Sequence, residues 1–312
     1  MNRETENGAA FAAPFSGVQG KNMRERWKIL ILLSPLAAVT ALVLISCVHV
    51  LVQSLGYVPV FGLEAFTLSY YREILSDPSF LQALGVSLRI SLCSAALAAV
   101  LGTALCAALV GLGKSRGALT YLVRLPILVP HAVTALFTVL LFAQTGLLAR
   151  LAHALGLLAD FSDFPQLLYT SGYTGAILAY VWKEAPFVAY FTLALMANIS
   201  STLGEAAENL GAPPLRSFFT VTLPLSLPAI SKAFLIIFLF AFGGYELPML
   251  LGATVPRALP VQAYLSYMSP ELRDLPYAMA MYGAILLLSL AMAGLYGLLT
   301  RTLWRKIRRA GT

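Results

Sequence analysis

The sequence has 312 residues and a formal net charge of +7; 59% of its residues are hydrophobic and only 11% are charged. Soluble domains carry about 25% charged residues, so this composition, with a mean hydropathy of +0.80, excludes a soluble globular protein. No basic stripe interleaved with aromatic residues occurs in the polar segments, which argues against a nucleic-acid partner. Membrane lipid is the expected surrounding.

The amino-terminal segment divides into a polar arm and a first apolar run. Residues 1–28 show no helical period and are predicted to form a disordered cytoplasmic arm. Residues 29–52 contain no charged side chain, and a helix of that length spans about 36 Å, enough to cross a hydrocarbon core of about 30 Å. A cleaved signal peptide has a shorter apolar region of about 7–15 residues. The run is therefore interpreted as a retained first span.

Five more apolar runs follow, at residues 84–112, 122–143, 173–197, 229–252 and 277–300. The predicted fold is an all-α membrane protein with six transmembrane helices, forming one membrane domain over residues 29–301. A short helix-turn-helix loop at 200–228 separates spans four and five, and residues 302–312 form a basic tail. Cys47, Cys93 and Cys106 all lie inside apolar runs, and their spacing indicates neither a disulfide framework nor a metal site.

The distribution of positive charge predicts the orientation of the spans. Fifteen Lys and Arg residues fall on the arm, the loop after span two, the segment from the 200–228 loop to Lys232, and the tail, against four on the opposite loops. Cytoplasmic loops carry the excess of positive charge. Both termini and the 200–228 loop are therefore predicted to be cytoplasmic.

The loop between spans four and five has the pattern of two short helices. Thr202 and Glu205 have the spacing of a capping box, which predicts that the first helix begins there. Gly211 can adopt the left-handed conformation that closes a helix, and the two prolines after it can begin the next helix. The second helix is predicted to end near Leu223, because Pro224 follows.

The same residues carry a family resemblance. The loop resembles the EAA coupling loop of the permease subunits of bacterial ABC importers. It contains Glu205-Ala206-Ala207, then Gly211 after three residues, then Val221-Thr222-Leu223-Pro224 after nine more, with Val221 in place of the usual Ile. The adjacent Pro213-Pro214 pair departs from the pattern. Further likeness over residues 84–300, including Trp182-Lys183 and Phe242-Gly243-Gly244-Tyr245, is similar to the spermidine/putrescine group of these permeases.

The resemblance implies a multi-pass protein of the bacterial inner (cytoplasmic) membrane that performs no catalysis. Its expected partners are two ATP-binding subunits, a second permease subunit that is identical or related, and a periplasmic or lipid-anchored substrate-binding protein. ATP and Mg would bind to the partner, and the chain itself would hold no cofactor or metal. The residues expected to dock on the ATPase are Glu205, Ala206, Ala207, Gly211, Leu215, Phe218, Phe219, Leu223 and Pro224. The alternative is a pair of amphipathic helices lying on the lipid surface.

Charged residues inside the spans are candidates for a substrate path. A charge near the centre of a span costs at least about 2.5–3.5 kcal/mol, so it is expected to face a cavity or a partner. Glu246, Tyr245, Tyr180 and Lys183 are therefore the candidate path residues. The competing interpretation is that Lys183 and Glu184 or Glu246 neutralise each other, or that Glu246 lies in water at the outer face.

Other functions have weaker support. Gly113-Lys114-Ser115 lacks the first glycine of a P-loop, which would fall at Ala108, and no nucleophile–base motif of a hydrolase occurs. A stand-alone, ion-coupled secondary transporter remains the alternative, and it would be expected to have a pair of intramembrane carboxylates. A polyamine such as spermidine or putrescine is the favoured substrate, with iron, thiamine and phosphonate as alternatives. The sequence leaves open whether the permease pair is a homodimer or a heterodimer.

Overall fold

The computed structural model describes residues 18–113, 118–271 and 274–310. Residues 1–17 of the predicted arm, together with Lys114, lie outside this range. The described chain is nearly all helical. Its α-helices are α1 (Val18–Ser54), α2 (Ser69–Ser76), α3 (Pro78–Gly111), α4 (Ala118–Leu128), α5 (His131–Phe142), α6 (Leu147–Ala154), α7 (Thr174–Ile199), α8 (Glu205–Asn209), α9 (Pro214–Ser217), α10 (Leu223–Gly243), α11 (Glu246–Leu251), α12 (Leu259–Tyr267) and α13 (Asp274–Ala310).

Within the residues that the structure describes, six stretches are long and apolar enough to cross a membrane, which confirms the predicted number of spans. They are Trp27–Ser54, Pro78–Gly111, His131–Ala154, Thr174–Asn209, Pro214–Gly243 and Asp274–Thr302. Within the part of the chain that the structure describes, extended pairing is limited to one bridge between Val58 and Leu63. The all-α prediction is therefore confirmed.

The chain divides into two compact units, of which the first ends at Val52. The described part of this unit lies within helix α1, which begins at Val18 and therefore includes the end of the segment predicted to be disordered. Large apolar side chains such as Leu32 (81% exposed) are accessible along this helix.

The core of the second unit, residues 53–312, forms where α3, α7 and α10 pack together. Small residues such as Ala98, Ala185 and Ala233 are buried in this contact. A side chain at Gly102 would lie 2.4 Å from the carbonyl oxygen of Ala185, so only glycine permits this close approach of α3 to α7. Small residues at this contact thus let α3 and α7 pack closely.

Spans three and five are discontinuous. The predicted run 122–143 breaks at Val129 and Pro130, between α4 and α5, and the run 229–252 breaks at Gly244 and Tyr245, between α10 and α11. Pro130 lacks the N–H that a continuous helix requires, and the glycine pair before Tyr245 has low helix propensity. The third membrane-length stretch is consequently displaced to His131–Ala154.

Candidate functional site

The predicted coupling loop is a helical hairpin whose two arms continue the flanking spans. Span four extends unbroken from Thr174 to Asn209, through a π-helical turn at Ser200–Gly204. The predicted capping box is wrong, because Glu205 lies within this continuous helix and the Thr202 hydroxyl donates to the carbonyl of Asn198 at 2.8 Å.

The second arm also continues into its span, from Pro214 to Gly243. The predicted stop near Leu223 is therefore wrong. A π-helical turn at Phe218–Thr222 precedes Pro224, and the Leu223 N–H donates to the carbonyl of Phe218, five residues earlier. Pro224 then occupies the first turn of α10, where its missing N–H is tolerated.

Gly211 forms the turn of the hairpin, as predicted. Its φ of +93° lies in the left-handed region. The Gly211 N–H donates to the Glu208 carbonyl at 2.9 Å, and the Ala212 N–H donates to the Ala207 carbonyl at 3.1 Å, which is a Schellman motif. The buried Ser217 hydroxyl donates to the Gly204 carbonyl at 3.1 Å and joins the two arms. The hairpin is thus held at its tip and near its base.

The tip of the hairpin exposes large apolar side chains. Leu210 is 91% exposed, Leu215 is 74% exposed and Phe219 is 61% exposed. Leu210 was not among the predicted docking residues, because in the sequence it is simply a good helix former. These three side chains are termed the apolar tip.

The other predicted docking residues divide into two groups. Phe218 and Leu223 are half-buried and pack against the core cluster that includes Cys106 and Met196. Glu205, Ala206, Gly211 and Pro224 are exposed, and Ala207 is half-buried. Phe218 and Leu223 therefore anchor the second arm more than they offer surface.

Lys183 is buried in α7, where its ammonium group faces the break in span three. Its Nζ donates to the carbonyl oxygens of Pro126 (3.5 Å), Ile127 (3.2 Å) and Val129. A helix end leaves its last carbonyls without intrahelical donors, and here the break after α4 creates such an end. A cation at a helix C-terminus is also favoured by the helix dipole. Lys183 is thus accommodated by backbone oxygens rather than by Glu246.

Glu246 pairs instead with His131, a residue that the sequence analysis did not select. The His131 Nδ1 lies 3.5 Å from the Glu246 Oε2. His131 is the first residue of α5, after the break in span three, and Glu246 is the first residue of α11, after the break in span five. The pair therefore joins the two broken spans. The Phe240 ring lies 5.4 Å from the imidazole, and the Tyr180 ring lies 6.4 Å from it. A histidine directly after Pro130 in an apolar run was the signal available in the sequence.

The four predicted path residues therefore do not form one cluster. Tyr180 is fully buried and interacts electrostatically with Glu246 and Glu184. Tyr245 faces another direction and stacks on Tyr264 of α12, with ring centroids 4.8 Å apart. Over residues 18–113, 118–271 and 274–310, no group of three or more His, Cys, Asp or Glu residues could hold a metal ion.

The structure has discontinuous spans around buried charges and a rigid hairpin between spans four and five. These features are typical of a multi-pass membrane protein of the transport class. Residues 83–305 match the family described as binding-protein-dependent transport system inner membrane component. The chain belongs to this family, the permease subunits of ABC importers. This membership favours the ATP-driven class over a stand-alone secondary transporter, and it makes the chain a multi-pass inner-membrane protein.

Two curated relatives cover most of both chains. The chain is 30% identical over 258 residues to the putrescine transport system permease protein PotI of Escherichia coli (strain K12), covering 81% of this chain and 85% of PotI. It is 25% identical over 296 residues to the sulfoquinovosyl glycerol transport system permease protein SmoG of Agrobacterium fabrum (strain C58 / ATCC 33970), covering 90% and 92% respectively.

A solved structure shares the fold. A bacterial ABC transporter involved in the import of the acidic polysaccharide alginate superposes with a TM-score of 0.71 at 19% identity, covering 91% of this chain and 98% of that chain. The same likeness holds for a bacterial alginate ABC transporter in complex with an alginate pentasaccharide-bound periplasmic protein, with a TM-score of 0.70. At this identity the likeness concerns the fold alone.

Proposed function

We propose that this chain forms half of the translocation path of an ABC importer and transmits ATP-driven motion through the hairpin at residues 205–224. A second permease subunit, identical or related, would form the other half. Two ATP-binding subunits would hold ATP and Mg and dock on the hairpins, while a periplasmic or lipid-anchored binding protein would deliver the solute. Both termini and the hairpin would then be cytoplasmic, in agreement with the excess of positive charge on that side.

The observation that carries the proposal is the continuity of each hairpin arm with a span. Thr174–Asn209 and Pro214–Gly243 are unbroken helical stretches, and the Schellman turn and the Ser217 hydroxyl fix the angle between them. A push on the apolar tip is therefore passed along two rigid helices instead of being absorbed by a flexible loop. The exposure of Leu210, Leu215 and Phe219 supports a protein partner, because burying each would stabilise a complex by about 1.5–3 kcal/mol.

A polyamine such as putrescine or spermidine is the proposed solute. The likeness to PotI over 81% of this chain supports this choice, as does a half-exposed carboxylate, Glu246, at the junction of two broken spans. SmoG has sulfoquinovosyl glycerol in its name, and iron, thiamine and phosphonate are the other candidates, so uptake assays must compare these classes.

The coupling role is tested by replacing the turn glycine. Gly211→Val places a β-branched residue at a φ of +93°, which strains the turn, and it should abolish solute uptake while the chain still inserts into the membrane. Gly156→Val is the matched control, because Gly156 also has a positive φ (+69°) and open surroundings but lies outside the hairpin. Wild-type uptake by the Gly211→Val variant would overturn the coupling role.

A further inference from the structure

The junction of the two broken spans contains a carboxylate with an incomplete set of partners. The Glu246 side chain is 50% exposed, and within the described residues the His131 imidazole, 3.5 Å away, is the one side chain that pairs with it. Charge-assisted hydrogen bonds are usually about 2.7–2.9 Å long, so this contact is loose. A ligand with a strong positive charge can therefore compete with the imidazole for Glu246.

The other cation near this junction is already occupied. The Lys183 ammonium donates to three backbone carbonyls at the end of α4 and interacts electrostatically with Glu184, its neighbour in sequence. An ammonium group has three donors, so Lys183 has none to spare for Glu246. The carboxylate of Glu246 thus remains available to a cation from outside the chain.

The surroundings of the pair suit an alkyl ammonium group better than a hydrated metal ion. Phe240 is 47% exposed, and its ring lies 5.4 Å from the His131 imidazole. An aromatic face attracts ammonium groups and packs against methylene groups, whereas a divalent metal ion requires several oxygen ligands. The described residues supply one carboxylate here and no metal-binding group of three.

We propose that Glu246 is the recognition carboxylate for a primary ammonium group of the transported solute, and that His131 occupies this carboxylate while the path is empty. The inference rests on the proposed function, since it requires that this face of the chain lines the path. The ligand class is a short alkyl chain with a primary ammonium group: the ammonium binds Glu246 and the methylene groups lie against Phe240.

The test measures uptake of radiolabelled putrescine by cells in which the complete transporter containing this chain is the sole putrescine importer. ATP hydrolysis stimulated by the binding protein is measured on the purified complex. Glu246→Gln should reduce uptake by about ten- to a hundredfold, the value of one charge-assisted hydrogen bond, with ATP hydrolysis retained. Glu64→Gln, an exposed carboxylate outside the spans, is the matched control and should leave uptake unchanged.

His131→Gln separates the role of the imidazole from that of the carboxylate. If His131 only occupies Glu246 in the empty path, uptake by this variant should stay within about threefold of wild type, because the recognition carboxylate is intact. A loss as large as that of Glu246→Gln would overturn the assigned role of His131.

The remaining outcomes distinguish the site from the proposed function. Wild-type putrescine uptake by Glu246→Gln would overturn the site and leave the importer assignment intact. No uptake of putrescine or spermidine by the wild-type complex would overturn the proposed solute and the site together. If Glu246→Gln loses ATP hydrolysis as well, Glu246→Asp decides: recovery of uptake supports the site, and an equal loss overturns it.

Discussion

The apolar tip of the hairpin gives the sharpest test of how this chain binds its ATP-binding subunit. Leu210 and Leu215 are 91% and 74% exposed, so they contribute little to the packing of the chain itself. Replacing either with Ser should change the thermal stability of the detergent-solubilised chain by no more than about 0.5 kcal/mol. The same replacement removes nearly all of the apolar area that the side chain offers to a partner.

The expected loss of affinity follows from the buried area. Full burial of a leucine is worth about 1.5–3 kcal/mol, and 1.4 kcal/mol corresponds to a tenfold change in the dissociation constant. Each single variant should therefore weaken binding of the purified ATP-binding subunit by about ten- to a hundredfold. The double variant should be weaker still, although neighbouring side chains need not contribute additively.

The assay is titration of the solubilised chain with the ATP-binding subunit by isothermal calorimetry. Leu157→Ser is the matched control, because Leu157 is 72% exposed but lies in the loop after α6, away from the hairpin. Equal affinity for the wild-type chain and both tip variants would refute the reasoning, and so would an equal loss of affinity in the Leu157→Ser control.

Three further predictions concern the packing and the charges of the second unit. Gly102→Val should lower the thermal midpoint by the equivalent of about 1–3 kcal/mol through overpacking, because a side chain there would meet an α7 carbonyl oxygen at 2.4 Å. The control Gly294→Val should have little effect, since Gly294 faces open space. Equal thermal midpoints for the two variants would contradict the packing argument. Lys183→Met should destabilise the chain by about 1–3 kcal/mol, since it leaves three carbonyls at the end of α4 without their donor. An unchanged thermal midpoint would show that Lys183 does not stabilise this helix end. Asp77→Ala should cost about 1 kcal/mol, because Asp77 caps α3. Hydrogen bonds from the Ser79 hydroxyl and N–H lower the pKa of Asp77. The contribution of Asp77 to folding stability is therefore complete above the usual carboxyl pKa and is lost as the pH falls through the lowered pKa. This would be contradicted if the thermal midpoints of Asp77→Asn and the wild-type chain fell equally with decreasing pH.

The number of spans and the hairpin turn could be predicted from the sequence because both depend on local properties. An apolar run long enough to cross lipid must become a helix, since no other single-segment structure satisfies its backbone there. Gly211 could be assigned to the turn because glycine alone adopts positive φ without strain. The resemblance of residues 205–224 led to the permease family, which the match over residues 83–305 confirms.

The hairpin arms show where local rules were insufficient. Thr202 and Glu205 satisfy the spacing of a capping box, yet the packed span continues through them as helix. Pro224 permits a helix to pass because a π-helical turn precedes it. Local signals for helix ends were overridden in both arms by the tertiary packing of α7 and α10.

The sequence by itself determined the composition of the membrane helices and the position of the turn, because hydrophobicity and backbone preference belong to single residues. Only the tertiary structure decided which charge within the spans meets which partner. Lys183 and Glu246 looked like a possible ion pair in the sequence, but the break after α4 supplies carbonyl oxygens to Lys183, and the break before α11 brings Glu246 to His131. These contacts depend on how the broken helices face one another, which is fixed by packing between residues distant in the chain.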